Sequence, residues 1–209
     1  MSASLSSRKV PVVKRLFDLL LVVPGLVLVS PILGAVVLAI WLSDGRPILF
    51  RQPRPGYKGK IFKNFKFRTM RNLAGSDGRH LPDSKRVTRL GRFLRTTSLD
   101  ELPELFNVLR GEMSLVGPRP LLVVYLQRYS SEQARRHDTL PGMTGWAQIN
   151  GRNAISWEDK FRLDVWYVDH WSVGLDIKIL ALTLLKVIRR EGITPAGQEN
   201  VQEFMGTKD

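Results

Sequence analysis

An uncharged apolar run near the N-terminus constrains this chain more than any other feature of its sequence. Residues 19–42 form twenty-four consecutive positions without a charged side chain. As a straight helix this run would be about 36 Å long, which is enough to cross a bilayer. It is too long for the apolar part of a signal peptide, and the following Ser43-Asp44-Gly45-Arg46 offers no small-residue cleavage site. We therefore expect a membrane segment that stays attached to the rest of the chain.

Both ends of this run carry basic residues, namely Arg8, Lys9, Lys14, Arg15, Arg46, Arg51, Arg54, Lys58 and Lys60. Basic flanks favour the cytoplasmic side of a membrane, so a straight span would carry one cluster across the bilayer. A hairpin avoids that cost, and Pro24-Gly25 and Ser30-Pro31 are two places where a helix could break. The Ser30 hydroxyl could also satisfy a carbonyl that a proline leaves free. On the residues alone, a re-entrant hairpin and a kinked spanning helix both stay open.

Three charged residues stand at the start of the membrane segment. Asp18 follows Lys14 and Arg15 by four and three positions, a spacing that allows a carboxylate and a cation to pair on one helix face. We interpret Lys14, Arg15 and Asp18 as membrane-anchoring residues rather than catalytic ones.

Composition narrows the chemistry that the chain could carry out. Its 32 Lys and Arg residues against 19 Asp and Glu residues give a net charge of +13, which favours phosphate-bearing partners such as nucleic acid, anionic lipid or nucleotide. The chain has no cysteine, which excludes thiol nucleophiles, thiolate-bound zinc, iron–sulfur clusters and disulfides. Its three histidines lack the spacing of a metal site.

Periodicity predicts both strands and helices in the rest of the chain. Residues 43–71 mix apolar and basic side chains, and part of this region alternates as short strands or an amphipathic surface element do. Helical spacing predicts helices over residues 85–97, 98–111 and 176–190, with Gly111 ending the second. The arginines of the first of these helices could bind phosphate or simply face solvent.

The adjacent acids Asp100 and Glu101 have two interpretations. In one, Ser98 and Glu101 form a capping box and Asp100 stabilises a helix N-terminus. In the other, a carboxylate acts as nucleophile, base or metal ligand while cations such as Arg119 surround a phosphate. Neighbouring helical residues point about 100° apart, so the two acids could have different roles.

Six motifs occur in order along the chain: Lys14-Arg15-x-x-Asp18, Lys66-Phe67-Arg68-Thr69-Met70, Ser98-Leu99-Asp100-Glu101-Leu102, Gly117-Pro118-Arg119-Pro120, Pro141-Gly142-x-Thr144-Gly145-Trp146 and Asn150-Gly151-Arg152-Asn153. Together they resemble the motifs of the bacterial monotopic phosphoglycosyl transferases. Members of that family transfer a phosphosugar from a UDP-sugar to undecaprenyl phosphate, release UMP, and so perform the first membrane step of glycan assembly.

The resemblance implies a role for each matching residue. Asp100 corresponds to the nucleophile that attacks the β-phosphate and forms a covalent phosphosugar intermediate, and Glu101 corresponds to its partner that associates with Mg²⁺. Ser30-Pro31 corresponds to the break of a re-entrant membrane helix. The residues implied to lie near the substrate are Lys66, Arg95, Arg119, Arg152 and Asp176.

These expectations combine into an α-rich α+β fold, in which a re-entrant helix hairpin broken at Ser30-Pro31 joins a small cytoplasmic catalytic domain with amphipathic interfacial helices. We expect an N-terminal tail over residues 1–13, the re-entrant membrane helix over 14–43, the cytosolic catalytic domain over 44–190, and a C-terminal tail over 191–209 that packs on or near the active site. The resemblance implies a location at the cytoplasmic face of the bacterial inner membrane.

The region from Gly117 to Trp157 and the tail from residue 192 to 206 resemble the bacillosamine phosphotransferases of protein glycosylation, which makes UDP-N,N′-diacetylbacillosamine a candidate donor. The expected cofactor is Mg²⁺. The expected partners are the UDP-sugar, undecaprenyl phosphate and downstream glycosyltransferases, without nucleic acid, and the oligomeric state stays open. The alternative is a non-catalytic, membrane-anchored basic module that binds anionic lipid or nucleic acid.

Overall fold

The computed structural model describes residues 10–72, 81–151, 155–189 and 203–206. The helices and strands of these residues, in chain order, are α1 (Val12–Asp44), β1 (Leu49–Pro55), β2 (Ile61–Phe67), α2 (Asp83–Arg86), α3 (Arg89–Thr96), α4 (Glu104–Arg110), β3 (Ser114–Val116), α5 (Ser131–Ala134), β4 (Gly142–Thr144), α6 (Trp146–Ile149), α7 (Trp157–His170) and α8 (Val173–Arg189). Short 3₁₀ turns cover Tyr57–Gly59, Leu99–Glu101, Val123–Gln127 and Arg135–Asp138. The prediction of a helix-rich α+β fold is confirmed.

Helix α1 contains the apolar run. Among the described residues it is the one helix that is long and apolar enough to cross a membrane. Pro31 lies inside it and leaves the Val27 carbonyl without its usual N–H donor, and the Ser30 hydroxyl donates to that carbonyl at 2.8 Å. Ser30 therefore compensates for the proline, as the sequence predicts. The helix is continuous across Ser30-Pro31, and the re-entrant hairpin stays a prediction.

One stripe of α1 packs against the rest of the protein in both halves of the helix. Its buried side chains are Lys14, Asp18, Val22, Val36 and Ile40. In the first half, Val22 packs against β2 and α4, and in the second half Ile40 packs against β2 and α3. The other faces are apolar and exposed, and in the middle no residue between Val22 and Val36 is buried; Leu28 there is 80% exposed. The described domain therefore covers both halves of α1.

A buried ion pair docks the first turns of α1 onto α7 and α8. Lys14 Nζ lies 2.8 Å from Asp176 Oδ2, and both residues are completely inaccessible to solvent. Lys14 also donates to the Tyr167 hydroxyl at 3.0 Å, while Asp176 accepts from Tyr167 at 2.7 Å and from the Trp171 indole at 3.0 Å. These hydrogen bonds supply the compensation that two desolvated charges require.

The next two charged residues of α1 bind backbone groups of the domain. Asp18 accepts hydrogen bonds from the Ser114 hydroxyl at 2.9 Å and from the Leu115 amide at 3.0 Å. Arg15 donates to the carbonyls of Val108 and Leu109, and so caps the C-terminus of α4 with a positive charge.

This corrects the prediction of membrane anchoring by Lys14 and Asp18, and for the partly exposed Arg15 that role stays a prediction. Lys14 and Asp18 are fully buried, so neither contacts a lipid headgroup. A carboxylate or ammonium that is this deeply buried needs a partner, and α8 and β3 provide those partners. The three residues anchor α1 to the rest of the protein.

The strands form two small sheets. β1 and β2 pair as an antiparallel hairpin in which Leu49 lies opposite Phe67 and Pro55 lies opposite Ile61. This confirms the strand interpretation of the alternation in residues 43–71. β3 and β4 form a parallel pair that lies between α1 and α8. The predicted helix over residues 176–190 corresponds to α8, and α3 covers most of the helix predicted over 85–97.

We expect Lys14→Met to reduce the free energy of unfolding by about 3–5 kcal/mol, because it leaves Asp176 buried without its cation. Thermal unfolding in detergent, followed by tryptophan fluorescence, would measure this loss. Lys60→Met, which removes an exposed lysine, is the matched control. Equal melting temperatures for the two variants would contradict a structural role for the Lys14–Asp176 pair.

Candidate active site

The acidic pair lies on a short 3₁₀ turn over Leu99–Glu101 rather than in a helix. The helix predicted over residues 98–111 is divided, since α4 begins at Glu104, directly after Pro103. Ser98 adopts a left-handed conformation with φ of 57° and its side chain makes no capping bond, so the predicted capping box is wrong. A positive φ is uncommon for a residue other than glycine and is typical of strained positions near functional sites. Gly111 ends α4, as predicted.

Glu101 connects three segments of the chain. Its Oε1 accepts hydrogen bonds from Lys66 Nζ of β2 at 2.6 Å and from Arg119 Nη2, in the loop after β3, at 2.5 Å. Burial raises the pKa of Glu101, but Arg119 and Lys66 outweigh that effect and hold the pKa below its usual range. The same ion pair raises the pKa of Arg119. Glu101 is therefore ionised at neutral pH.

Glu104 lies beside this ion pair, one turn further along the chain. Lys66 approaches its Oε1 to 3.3 Å, and Asn64 donates a hydrogen bond to the same oxygen at 3.0 Å. Burial, reinforced by the charge of Glu101, raises the pKa of Glu104. Lys66 is thus shared between two carboxylates, of which Glu101 is the closer.

Asp100 differs from both of these acids. Within the part of the chain that the structure describes, its carboxylate accepts no hydrogen bond and forms no ion pair. Burial and the neighbouring Glu101 charge raise the pKa of Asp100 to about 6, against the opposing effect of Lys66, Arg95 and Arg119. Asp100 is therefore a half-buried carboxylate that lies near three cations without being bound by them.

Arg95 reaches this group because α3 packs unusually close to the segment after β2. A Cβ atom at Gly91 would lie 2.0 Å from the Thr69 carbonyl oxygen, so only glycine fits there. Arg95 Nε donates to the Thr69 hydroxyl at 3.0 Å. The close helix contact thereby places the guanidinium within electrostatic reach of Asp100.

Arg119 stands in a loop that neighbouring backbone holds tightly. The Gly117 amide donates to the Thr144 carbonyl at 2.8 Å, and the Gly142 amide donates to the Pro118 carbonyl at 3.1 Å. A Cβ atom at Gly117 would lie 2.3 Å from the Leu140 carbonyl oxygen, and one at Gly142 would lie 2.0 Å from the Gly117 nitrogen. The two motifs 117–120 and 141–146 are therefore parts of one packed unit that supports Arg119.

Sequence reasoning missed a buried ion pair behind this loop. Arg136 Nη2 donates to the Arg119 carbonyl at 2.7 Å and to Asp164 Oδ2 at 2.8 Å, and both Arg136 and Asp164 are 2% exposed. The available signal was Asp164 itself, which shares the apolar face of α7 with Phe161 and Val168. An acid on an apolar helix face predicts a buried partner.

The remaining predicted site residues do not join this group. Asp176, predicted to lie near the substrate, is fully buried in the cluster with Lys14 and Tyr167, so the structure gives it a structural position instead. Arg152 lies outside the described residues. Lys66, Arg95, Asp100, Glu101 and Arg119 are brought together as predicted.

The described part of the C-terminal tail docks on an aromatic cluster. Phe204 is 2% exposed and packs against Tyr125, Tyr129, Trp157 and Phe161. The guanidinium of Arg136 stacks over two of these rings. Residues 203–206 therefore contact the aromatic cluster, the cluster contacts Arg136, and Arg136 binds the Arg119 carbonyl.

The carboxylate oxygens of this site can hold Mg²⁺ only together with additional ligands, such as the phosphates of a substrate. No group of three acidic, histidine or cysteine residues suited to a metal occurs among the described residues. Asp100 lacks a partner, and Glu101 Oε2 accepts no hydrogen bond within the same residues, which leaves two carboxylates available. Mg²⁺ is commonly held by one or two carboxylates together with the phosphates of a substrate.

The site has one carboxylate, Asp100, that is unpaired among the described residues, next to the ionised carboxylate of Glu101, and several cations surround both. Such an arrangement can bind an anionic substrate and present a nucleophile or base to it. The cations can offset negative charge that develops on phosphate oxygens. Neighbouring acids with opposite pKa shifts are typical of acid–base and nucleophilic sites.

Comparison with known proteins agrees with this chemistry. The family model described as bacterial sugar transferase matches residues 9–190. The chain is 53% identical over 198 residues to the uncharacterized sugar transferase EpsL of Bacillus subtilis, covering 95% of this chain and 98% of EpsL.

Two longer relatives have more specific names. The chain is 45% identical over 189 residues to the undecaprenyl-phosphate glucose phosphotransferase of Komagataeibacter xylinus, covering 84% of this chain and 36% of that protein. It is 43% identical over 183 residues to the UDP-glucose:undecaprenyl-phosphate glucose-1-phosphate transferase of Escherichia coli, covering 83% of this chain and 39% of that protein. The chain thus spans well under half of these two relatives and nearly all of EpsL.

We expect Asp100→Asn to raise the melting temperature at about pH 8 and to leave it unchanged near pH 4. In the folded protein the pKa of Asp100 rises from 3.8 to about 6, so between these values the folded state binds the proton that the unfolded state releases. The contribution of Asp100 to stability is therefore present at low pH and lost as the pH rises through about 6. Thermal unfolding of wild type and variant across this range would measure the difference.

Glu158→Gln, which changes an exposed acid of α7 that forms no ion pair among the described residues, is the control for general charge effects. If the melting temperatures of wild type and Asp100→Asn change in parallel from pH 4 to about pH 8, the raised pKa of Asp100 is wrong.

Proposed function

Because this chain belongs to the bacterial sugar transferase family and is a sugar-phosphate transferase, we propose that it transfers a phosphosugar from a UDP-sugar to undecaprenyl phosphate and releases UMP. The observation that carries this proposal is the Asp100 carboxylate, which lies near Lys66, Arg95 and Arg119 and has no bonded partner in the described part of the chain. A nucleophile must be free to reach the substrate, and a diphosphate needs cations around it.

In the first step, an oxygen of ionised Asp100 attacks the β-phosphorus of the UDP-sugar. A bond forms between the carboxylate oxygen and phosphorus, and the bond between that phosphorus and the bridging oxygen breaks, so UMP leaves with the electron pair. In the second step, an oxygen of undecaprenyl phosphate attacks the same phosphorus and displaces Asp100. The products are the undecaprenyl diphosphate sugar and the free enzyme carboxylate.

The neighbouring side chains divide the remaining tasks. Arg119 and Lys66 are held by Glu101, so their positive charges are fixed before the substrate arrives, which avoids reorganisation during the reaction. Arg95, positioned by Thr69, adds charge on the side of α3. The pKa of about 6 leaves Asp100 mostly ionised at neutral pH, as a nucleophile must be.

We assign Mg²⁺ binding to Glu101, with Asp100 close enough to assist. The ion, when bound together with the donor diphosphate, would neutralise charge on the leaving UMP. The unpaired Glu101 Oε2 is the atom that supports this assignment.

For the sugar of the donor we propose two candidates. The resemblance in residues 117–157 favours UDP-N,N′-diacetylbacillosamine, whereas the names of the two longer relatives specify glucose. We therefore treat UDP-N,N′-diacetylbacillosamine and UDP-glucose as the first donors to compare.

We further propose that α1 enters and leaves the membrane on the cytoplasmic face of the inner membrane, as the re-entrant prediction states. A helix that crossed the bilayer would place its ends on opposite sides. Here Lys14 at one end and Ile40 near the other both pack against the same domain. In the middle of α1 no residue between Val22 and Val36 is buried, and this apolar stretch suits insertion into lipid.

We expect Asp100→Asn to reduce UMP release by roughly 10³-fold or more, because the nearly isosteric amide keeps the fold and removes the nucleophile. The assay uses detergent-solubilised protein with Mg²⁺, undecaprenyl phosphate and a panel of UDP-sugars that includes both donors named above. Asp169→Asn serves as the control with full activity.

A single active donor would identify the substrate. Wild-type turnover in Asp100→Asn would contradict the covalent mechanism, and absence of UMP release from every donor by the folded wild type would contradict the proposed reaction.

Single cysteines can test the position of α1, because the chain has none of its own. We expect Val12→Cys and Ser43→Cys, at the two ends of the helix, both to react with a membrane-impermeant maleimide in inside-out inner-membrane vesicles. Neither should react in intact spheroplasts. Leu28→Cys is the control for a lipid-covered position. Labelling of one end from each side would show that α1 spans the bilayer.

A further inference from the structure

Arg54 of β1 lies on the same face of the hairpin as Lys66, the lysine that binds Glu101. Residues directly opposite each other on paired strands project to the same face. In the β1–β2 register Phe50 lies opposite Lys66, Gln52 opposite Asn64, and Arg54 opposite Phe62. Alternate residues of a strand share a face as well, so Arg54 belongs to the row that contains Asn64 and Lys66. That row faces Glu101 and Glu104.

The Arg54 guanidinium has no acidic partner among the described residues. Its Nη2 donates to the neutral Gln52 side chain at 2.6 Å, and its Nε is buried without a hydrogen-bond acceptor. The nearby Glu104 is already bound by Asn64 and Lys66. Within the described chain, no carboxylate therefore forms an ion pair with Arg54, and the charge of Glu104 compensates only part of the effect of burial.

A second guanidinium makes this position still less favourable. Burial is the main cause that lowers the pKa of Arg54, and the positive charge of Arg119 is the next. Buried charges in proteins are normally paired, and two like charges that are close together in a half-buried place repel one another. Such a pair becomes favourable when an anion binds between them.

We propose that Arg54 binds a phosphate group of the substrates together with Arg119. This inference rests on the proposed function, because it assigns Arg54 to the phosphates that the transferase reaction brings to the site. The phosphate could belong to the donor diphosphate or to the lipid acceptor, and both present the same oxyanion to the guanidinium. Arg54 is thus a substrate-binding residue in addition to Lys66, Arg95 and Arg119.

Stability of the ligand-free protein separates this role from a structural one. If Arg54 serves to bind a ligand, its buried charge lowers the stability of the ligand-free protein. Arg54→Met should then leave the melting temperature unchanged or raise it. If Arg54 instead stabilises the fold through its hydrogen bond to Gln52, Arg54→Met should lower the melting temperature. Arg54→Gln, which keeps a polar side chain able to bond Gln52 but removes the charge, provides a second variant for the same comparison.

Direct binding identifies which phosphate Arg54 contacts. The probes are UDP and a short-chain polyprenyl phosphate, each titrated by calorimetry against wild type, Arg54→Met and Arg54→Gln. We expect binding of at least one probe to weaken by about tenfold or more in both variants, as loss of a charged hydrogen bond implies. Weaker binding of UDP alone places the donor at Arg54, and weaker binding of the polyprenyl phosphate alone places the acceptor there.

Arg51→Met is the matched control. Arg51 is exposed, lies on the opposite hairpin face and stacks on Phe65, so its loss removes an equal charge without touching the row that contains Arg54. Equal affinities for both probes in wild type and the Arg54 variants would overturn the inference, as would an equal loss in Arg51→Met. Because these readouts are affinities, they fail separately from the proposed function, which fails when wild type releases no UMP.

Discussion

The double ion pair of Glu101 is the interaction on which the candidate site depends. A half-buried carboxylate is stable as an anion only when cations compensate for lost hydration. Lys66 and Arg119 provide that compensation from β2 and from the loop after β3, and their bonds fix both segments relative to the turn that carries the acids. The same bonds occupy Lys66 and Arg119, and among the described residues the adjacent Asp100 has no bonded partner. One acid organises the site, and its neighbour remains free for chemistry.

The surroundings of Arg119 explain how that geometry is kept. Close backbone packing at Gly117 and Gly142 leaves the loop no room to move inward, and Arg136 holds the Arg119 carbonyl from behind. Phe204 of the tail packs in the aromatic cluster beneath Arg136, which links the end of the described chain to the same loop. A rigid support of this kind suits a site whose catalytic effect is electrostatic, since preorganised charges need no rearrangement during the reaction.

Much of the site could be predicted from sequence because its residues lie in short motifs with clear chemistry. Residue chemistry alone left both a capping and a catalytic interpretation for Asp100 and Glu101, and the resemblance of the six ordered motifs to a known family favoured the catalytic one. Sequence spacing did not predict the role of a residue where contacts with distant parts of the chain determine its surroundings. Asp176 stands in a helical pattern like any other acid, and nothing near it in sequence shows that Lys14, 162 positions away, is its partner. Arg136 and Arg54 were missed for the same reason.

The sequence by itself determined that this chain has an apolar helix with basic flanks, an alternating region able to form short strands, and a set of motifs able to handle phosphate, because hydrophobic periodicity and turn chemistry are local properties. Only the tertiary structure decided what each charged residue does. It made Lys14 and Asp18 docking residues, and among the described residues it left Asp100 without a bonded partner and Arg54 without an ion pair. The physical reason is that the effect of a charge depends on its burial and its nearest opposite charge, and both are set by residues that are distant in sequence.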